Sequence, residues 1–280
     1  MARVRVVTDS AGDLTPSLAE ERGVTVVPLS IRFGSEEFVD GAELSADEFW
    51  SRCKSSDMLP ETSAPSPGAF QEAFLGAAGD GYDGVVCINL SGALSATIQA
   101  ARSAADAVAD QVPVRVIDSR SVTMGQGLMA LAAAESAAGG ATLDEVTAIA
   151  EGRIGRTQVF GAIDTLEHLE KGGRIGGARA LLGSLLSIKP VIQVIDGVVE
   201  EESKQRTRSR QLRYLADKIL GFGSIERVAV CNGAAGDLDN LLALLVNVDA
   251  KYPLEVVNLG PVVGTHTGPG TIGICVVTLA

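Results

Sequence analysis

Val4-Arg5-Val6-Val7-Thr8-Asp9-Ser10 is the stretch from which the fold can be predicted. Its apolar run predicts a buried strand that ends at two polar residues. The pattern returns at Gly84–Leu90 and at Val114–Ile117, and a helical stretch follows each time. Strands that alternate with helices indicate a parallel sheet with right-handed crossovers. We therefore expect an N-terminal α/β lobe built on a parallel sheet.

Each of these strands is followed by a polar residue, namely Asp9, Ser91 and Asp118. In parallel sheets, ligands gather beyond the carboxyl ends of the strands, so the three side chains are expected on one rim. An aspartate at such a position is more often a helix cap than a functional group. The rim is thus a candidate site, with capping as the alternative.

In the second half of the chain the pattern changes. Pro190–Ile195 and Val198–Glu201 flank Asp196-Gly197, which is a strong signal for a β-hairpin. Ala178–Ile188 is apolar on nearly every face, which predicts a helix that is buried or that lines an apolar space. We predict two domains, an N-terminal parallel α/β domain over 1–155 and a C-terminal mixed-sheet α/β domain over 156–280.

The composition excludes several classes of protein. A formal net charge of −12 over 280 residues, with a pI near 4.7, argues against nucleic-acid binding. No apolar run reaches the roughly 20 residues needed to cross a bilayer. The N-terminus lacks the apolar block of a signal peptide. We expect a soluble, cytoplasmic protein.

Neither a cofactor nor a metal is expected. Cys87, Cys231 and Cys275 lie in separate apolar runs, so buried free thiols are favoured over disulfides or metal ligands. The sequence has no phosphate loop of the form G-x-x-x-x-G-K-[ST] and no HExxH. The glycine-rich stretch Gly172–Gly177 follows a predicted helix and not a strand, which argues against a nucleotide-binding turn.

The segment Glu61–Phe70 predicts a position for an anion. Thr62 and Ser63 present two hydroxyls ahead of Ala64-Pro65, a step that keeps the backbone extended. Ser66-Pro67 then predicts the cap and first position of a helix. Hydroxyls beside the unpaired N–H groups of a helix N-terminus favour an anion. The alternative is a proline-rich connector whose hydroxyls cap only their own backbone.

Ser91, Ser95 and His266 are further candidates for chemistry. The serines lie at a predicted strand-to-helix corner, but the G-x-S-x-G of a nucleophile elbow surrounds neither. His266 lies in Gly264–Gly270, a glycine-rich loop that allows close approach of the backbone to another group. An incidental histidine in a tight turn is the alternative, and His168 is expected on the surface. A hydrolase of small acyl esters, with a serine nucleophile and His266 as base, stays open.

Arg206, Arg208 and Arg210 belong to a basic run in an otherwise acidic protein. Such a run is usually a solvated helix face. Against a net charge of −12, it also fits a docking surface for an anionic partner. We expect these arginines to face a partner.

Seven short motifs occur in the order that is found in the DegV family. They are Val7-Thr8-Asp9-Ser10 with Asp13-Leu14, Thr62-Ser63-x-Pro65-Ser66-Pro67, Leu94-Ser95-x-Thr97, Ile117-Asp118-Ser119, Gly172-Gly173-Arg174-Ile175, Lys204-x-Arg206 and Gly264-Thr265-His266-Thr267-Gly268-Pro269-Gly270. Each motif alone is weak, whereas the ordered set is specific and extends from end to end. The sequence therefore resembles the DegV family.

The resemblance implies a two-lobed α/β protein that binds one long-chain fatty acid. The acyl chain would lie buried in the C-terminal lobe, with its carboxylate at the junction of the lobes. Members of the family are binding subunits of bacterial fatty acid kinase, which present the carboxylate to a separate kinase subunit and hold the acyl phosphate. The protein would then be a monomeric binding subunit and not an enzyme, with transient contact to a membrane surface.

The resemblance assigns the carboxylate to Thr62, Ser63, Ser95 and His266. Ala96 stands where the family usually has glycine, which shifts part of the expectation from Ser95 to Ser91. Arg206 would lie near the head group or at the kinase-facing surface, with the other arginines of the basic run around it.

Overall fold

The computed structural model describes residues 3–56 and 58–280, without the side chains of residues 183–187. Its first half contains, in chain order, β1 (Val4–Asp9), α1 (Pro16–Glu21), β2 (Val24–Val27), β3 (Ser30–Phe33), β4 (Glu36–Val39), α2 (Ala46–Ser55), β5 (Glu61–Ser63), α3 (Pro67–Gly79), β6 (Gly84–Asn89), α4 (Thr97–Ala107), β7 (Val114–Asp118), α5 (Met124–Ala138) and α6 (Leu143–Ile154). Its second half contains β8 (Thr157–Ala162), α7 (Glu167–Lys171), β9 (Lys189–Ile195), β10 (Val198–Gln205), α8 (Arg208–Leu220), β11 (Ile225–Gly233), α9 (Leu238–Leu244), β12 (Glu255–Asn258), α10 (Pro261–Thr267) and β13 (Thr271–Thr278). The 3-10 helices Ser10–Gly12 and Gly176–Ser187 complete these elements.

The first lobe is a parallel sheet between two layers of helices, as predicted. Its strand order is β2-β1-β6-β7, and all three pairings are parallel. The strands are rich in valine and isoleucine because they are buried on both faces. Helices α3 and α4 cover one face, and α5 and α6 cover the other. After β1, the extended chain breaks at Pro28 into β2 and β3.

A small antiparallel sheet with the order β4-β3-β5 is attached to this lobe. Glu61–Ser63 is extended as predicted and pairs with β3, so that Thr62 lies opposite Ile31. The predicted helix start is confirmed, because the Ser66 hydroxyl accepts a hydrogen bond from the Ala69 amide at 3.2 Å. The strand and the helix start are therefore held in fixed positions next to each other.

The second lobe contains a six-stranded mixed sheet with the order β10-β9-β8-β13-β11-β12. Only the β11–β12 pairing within this sheet is parallel. The predicted hairpin is confirmed: Asp196 and Gly197 join β9 to β10 with φ of 51° and 84°, the left-handed values that a type I′ turn requires. Helices α8 and α9 pack on the outer face of the sheet, and its inner face contacts the first lobe.

Two predictions in this lobe need correction. The glycine-rich segment Gly264–Gly270 is not a loop throughout, because α10 continues to Thr267 and the turn begins only at Gly268. The apolar segment Ala178–Ile188 is largely a 3-10 helix. The side chains of Leu185 and Leu186 lie outside the described residues. Ala178 and Leu181 are buried in a cluster next to the cavity described below.

All four cysteines are free, and Cys87, Cys231 and Cys275 are buried, as predicted. Within residues 3–56 and 58–280, no helix combines the length and apolar character needed to cross a membrane.

Candidate ligand-binding site

A cavity lies between the two lobes, against the inner face of the mixed sheet. About 830 Å³ within its lining is free of protein atoms when the open mouth is included, and the centre of a water-sized sphere can move within about 90 Å³ of it. The lining is mostly aliphatic, with Leu90 and Val122 from the first lobe and Val159 and Val263 from the second. The space predicted inside the C-terminal lobe is therefore shared between the lobes.

Four polar residues of this lining come from four different parts of the chain: Thr62, Ser95, Arg174 and His266. Thr62 is on β5, Ser95 precedes α4, Arg174 follows α7, and His266 is on α10. The Thr62 Oγ1 and His266 Nε2 atoms are 3.0 Å apart. This polar cluster brings together three of the five residues predicted to bind a carboxylate.

His266 is uncharged at neutral pH. Burial, together with the charges of Arg174 and His168, lowers the pKa of His266 to about 4. Among the described residues, its buried Nδ1 atom has no hydrogen-bond partner. With the proton on Nε2, the imidazole donates to Thr62 Oγ1, and the Thr62 hydroxyl hydrogen is then free to be donated to an anion. The Thr62 hydroxyl is thus an uncharged hydrogen-bond donor whose orientation is fixed by the buried imidazole of His266.

The prediction that His168 lies on the surface is wrong. The side chain contacts α10 and helps to position that helix. It is half-buried, and its Nδ1 atom lies 3.1 Å from the Thr265 carbonyl oxygen. Its ring packs against Gly268, where an added Cβ would lie only 2.6 Å from the ring. His168 therefore joins α7 to the C-terminal end of α10.

Arg174 is a site residue that the sequence argument missed. Its Nε donates to the Leu94 carbonyl at 3.0 Å and its Nη1 to the Gly172 carbonyl at 2.6 Å. Both bonds fix the guanidinium at the cavity, and no described carboxylate lies within ion-pair distance of it. The sequence did contain an indication of this role. Arg174 is the one charged residue in the glycine-rich stretch Gly172–Gly177, for which no other function had been found once a nucleotide-binding turn was rejected.

The structure places Ser95, and not Ser91, at the cavity. Ser95 Oγ lies 2.9 Å from Thr97 Oγ1 and accepts a bond from the Thr97 amide at 3.2 Å. The buried Ser91 hydroxyl donates to the Gly197 carbonyl at 2.7 Å, so its hydrogen is already used. Ser91 therefore connects the rim of the first sheet to the hairpin of the second lobe.

Ser63 also lies away from the cavity. It is exposed and pairs with Ser30 in the small sheet. Successive residues of a strand point to opposite faces, so Thr62 and Ser63 cannot both reach the same side. The two adjacent hydroxyls that suggested an anion site are separated by the strand itself.

The three arginines of the basic run differ in their surroundings. Arg206 and Arg210 are exposed. Arg208 is half-buried and binds both carboxylate oxygens of Asp237, at 2.8 and 3.0 Å, and the Gly270 carbonyl. This pairing holds the pKa of Asp237 below its usual value. Arg208 thus tethers the start of α8, whereas Arg206 and Arg210 extend into solvent.

The geometry gives no support to a serine hydrolase. His266 contacts Thr62, and no hydrogen bond between described residues joins it to Ser91 or Ser95. Asp118 on the rim accepts bonds from the Gly92 and Arg120 amides, which is a capping role. A nucleophile, a base and an orienting acid are therefore not connected.

Known proteins resemble this chain over nearly its whole length. The family model described as "Uncharacterised protein, DegV family" matches residues 3–279. A DegV domain-containing protein of Streptomyces coelicolor is 38% identical over 278 residues, with 98% of each chain covered. Among solved structures, a fatty-acid-binding DegV family protein from Thermus thermophilus has a TM-score of 0.89 at 31% identity, covering 99% of this chain and 100% of that one. DegV from Bacillus subtilis, a fatty acid binding protein, has a TM-score of 0.85 at 31% identity, with both chains fully covered. The chain belongs to the DegV family.

Proposed function

We propose that the protein binds one long-chain fatty acid, with the acyl chain in the cavity between the lobes and the carboxylate at the polar cluster. The observation that carries this proposal is an apolar cavity with Thr62, Ser95, Arg174 and His266 gathered in its lining. Related DegV proteins from Thermus thermophilus and Bacillus subtilis bind fatty acids, which supports the same ligand class here.

The other hydroxyls of the lining are already satisfied by the protein. Thr267 donates to the Val263 carbonyl at 3.1 Å, Thr271 donates to the Gly268 carbonyl at 2.8 Å, and Thr123 donates to a carboxylate oxygen of Asp13. They therefore present mainly carbon to the cavity. An acyl chain of about 15 carbons would gain on the order of 12 kcal/mol from burial before ordering costs.

The carboxylate needs donors, because an unpaired anion in a dry site costs several kcal/mol. Thr62 and Ser95 supply hydroxyls, and Arg174 supplies a positive charge whose direction is set by two backbone carbonyls. The neutral His266 holds Thr62 without adding charge. The acyl chain thus supplies most of the affinity, and the polar cluster orients the head group.

The protein is further proposed to act in the cytoplasm with a separate fatty acid kinase subunit, which phosphorylates the bound carboxylate to an acyl phosphate. The exposed cations Arg206 and Arg210 support this role, since they offer positive charge on a protein of net charge −12. A partner with an acidic surface would be steered towards them.

An organic extract of the purified protein should contain close to one fatty acid per chain, identified by mass spectrometry. The protein stripped of lipid should take up a long-chain fatty acid again in a direct binding assay. If the extract holds no fatty acid and the stripped protein takes none up, the proposed function is wrong.

Arg206→Ala should lower kcat/KM for phosphorylation of the bound fatty acid by roughly tenfold or more, because it removes a charge at the proposed docking surface. Its fatty acid affinity should stay within about twofold of wild type. Affinity and kinase turnover are measured separately, with Arg213→Ala on α8 as a control that removes the same kind of charge farther along the chain. Equal losses of affinity and turnover would show that Arg206 is a ligand of the fatty acid.

A further inference from the structure

Two glycines face each other on the inner side of the mixed sheet. Gly161 on β8 and Gly273 on β13 are register partners, and both line the cavity. The next pair on the same face is Val159 opposite Cys275, two residues along each strand. The sheet therefore presents two side chains at one pair and none at the next.

The packing of the protein does not require a glycine at Gly273. Its φ is not in the left-handed region, and an added Cβ would lie 3.5 Å from its nearest neighbour, which is ordinary contact. At Gly161 the nearest atom would be a side-chain carbon of Ile192, at 3.2 Å. By contrast, a Cβ at Gly264 would lie 2.7 Å from the Phe49 ring. Gly264 is required by the fold, whereas Gly273 leaves space that the protein itself does not use, and a Cβ at Gly161 would need only a small movement of the Ile192 side chain.

Glycine weakens a strand, and within a strand it often marks a place where a ligand approaches closely. Since neither backbone strain nor internal crowding explains Gly273, an approaching ligand is the remaining physical reason. The glycine pair belongs to the cavity already described, so it bears on how the fatty acid lies there.

The pair lies between the two ends of the cavity. Ile163, on the side of Gly161 towards α7, packs with Leu169 and Leu94 near Arg174. Val159, on the other side, packs with Leu90 in the core between the lobes. A chain that starts at the polar cluster and extends towards Val159 must pass over the glycines.

We propose that Gly161 and Gly273 form the floor over which the acyl chain passes, and that their missing side chains set how long a chain the cavity accepts. The inference rests on the proposed function, because it takes a fatty acid as the ligand. It adds the residues that select long chains over short ones.

The test is the affinity of saturated fatty acids from about 8 to about 18 carbons, where each buried methylene contributes about fourfold. In the wild type, affinity should rise with length until the cavity is full. In Gly273→Val and Gly161→Val, the curve should follow the wild type for short acids and level off earlier. With about two methylenes displaced, the longest acids should bind roughly 15-fold more weakly.

Gly273→Ala provides a variant for which the structure has room, and it should shift the levelling point in the same direction by less. Gly152→Ala, on α6 with open space around it, is the control and should match the wild type. A uniform loss at every length, or unchanged curves in all the cavity variants, would overturn the inference while leaving the proposed function intact. A wild-type protein that binds no acid of any length would contradict the proposed function itself.

Discussion

Thr62→Val and Ser95→Ala should each weaken the binding of a long-chain fatty acid by roughly 5- to 150-fold, because each removes a hydroxyl donor to a partly buried anion, a loss of about 1–3 kcal/mol. Valine keeps the shape and strand preference of threonine, so β5 should stay in place. The affinity of each purified variant, stripped of lipid, is compared with that of wild type by titration calorimetry.

The methyl ester of the same fatty acid separates a head-group effect from a packing effect. It buries the same chain but carries no charge that needs donors. Thr62→Val and Ser95→Ala should therefore lose much less affinity for the ester than for the free acid. Equal losses for acid and ester would mean that these residues act through packing, and the assignment of the polar cluster would fall.

Ser91→Ala is the matched control, since it removes the same hydroxyl from a serine four positions away. Ser91 bonds the buried Gly197 carbonyl and does not line the cavity. The variant should keep its fatty acid affinity and lose roughly 1–3 kcal/mol of unfolding free energy, since a buried acceptor is left without its donor. If Ser91→Ala loses as much fatty acid affinity as Ser95→Ala does, the assignment of the head group to Ser95 and not to Ser91 is wrong.

His266→Asn should change how the stability of the lipid-free protein depends on pH. Burial lowers the pKa of His266 from 6.5 to about 4, so between these values the unfolded chain binds a proton that the folded protein does not. Above pH 6.5 the imidazole is neutral in both states and does not lower the unfolding free energy. As the pH falls from 6.5 through 4, the unfolding free energy decreases because the unfolded chain binds the proton first. The loss amounts to about 3 kcal/mol, and it should be absent from the variant.

Asp40 acts in the opposite direction over the same range. Burial raises the pKa of Asp40 from 3.8 to about 6, so the folded protein holds a proton there that the unfolded chain has released. This contribution grows as the pH falls from 6 to 3.8 and offsets that of His266. The pH profile of the wild type alone therefore cannot isolate the histidine.

The measurement is the difference in unfolding free energy between His266→Asn and wild type, by denaturant titration from neutral pH down to about pH 4. The difference should move in favour of the variant by about 3 kcal/mol as the pH falls. Lipid must be removed first, because a nearby carboxylate favours the protonated imidazole and raises its pKa. A difference that does not vary with pH would mean that the imidazole titrates alike in the folded and unfolded states.

Local patterns in the sequence were enough to predict much of the fold. The valine-rich strands, the Ser66 cap and the Asp196-Gly197 turn were all found where they were expected. Each of these features depends on residues that are close together in the sequence: the capping hydrogen bond, the backbone angles of the turn and the apolar run of the strands. The extent of α10 was missed, since its C-terminal part is rich in glycine and the elements that pack on it also constrain the backbone.

The sequence by itself determined the types of side chain at the site, and the tertiary structure decided which of them meet. Thr62 and His266 were both predicted, but their contact joins residues 204 positions apart. Ser63 was excluded by the strand pleat, and Ser91 by the hairpin of the other lobe. The pairing of Gly161 with Gly273 depends on the register of β8 and β13. Periodicity and caps report only on near neighbours, whereas a cavity is made by surfaces that are brought together when the whole chain packs.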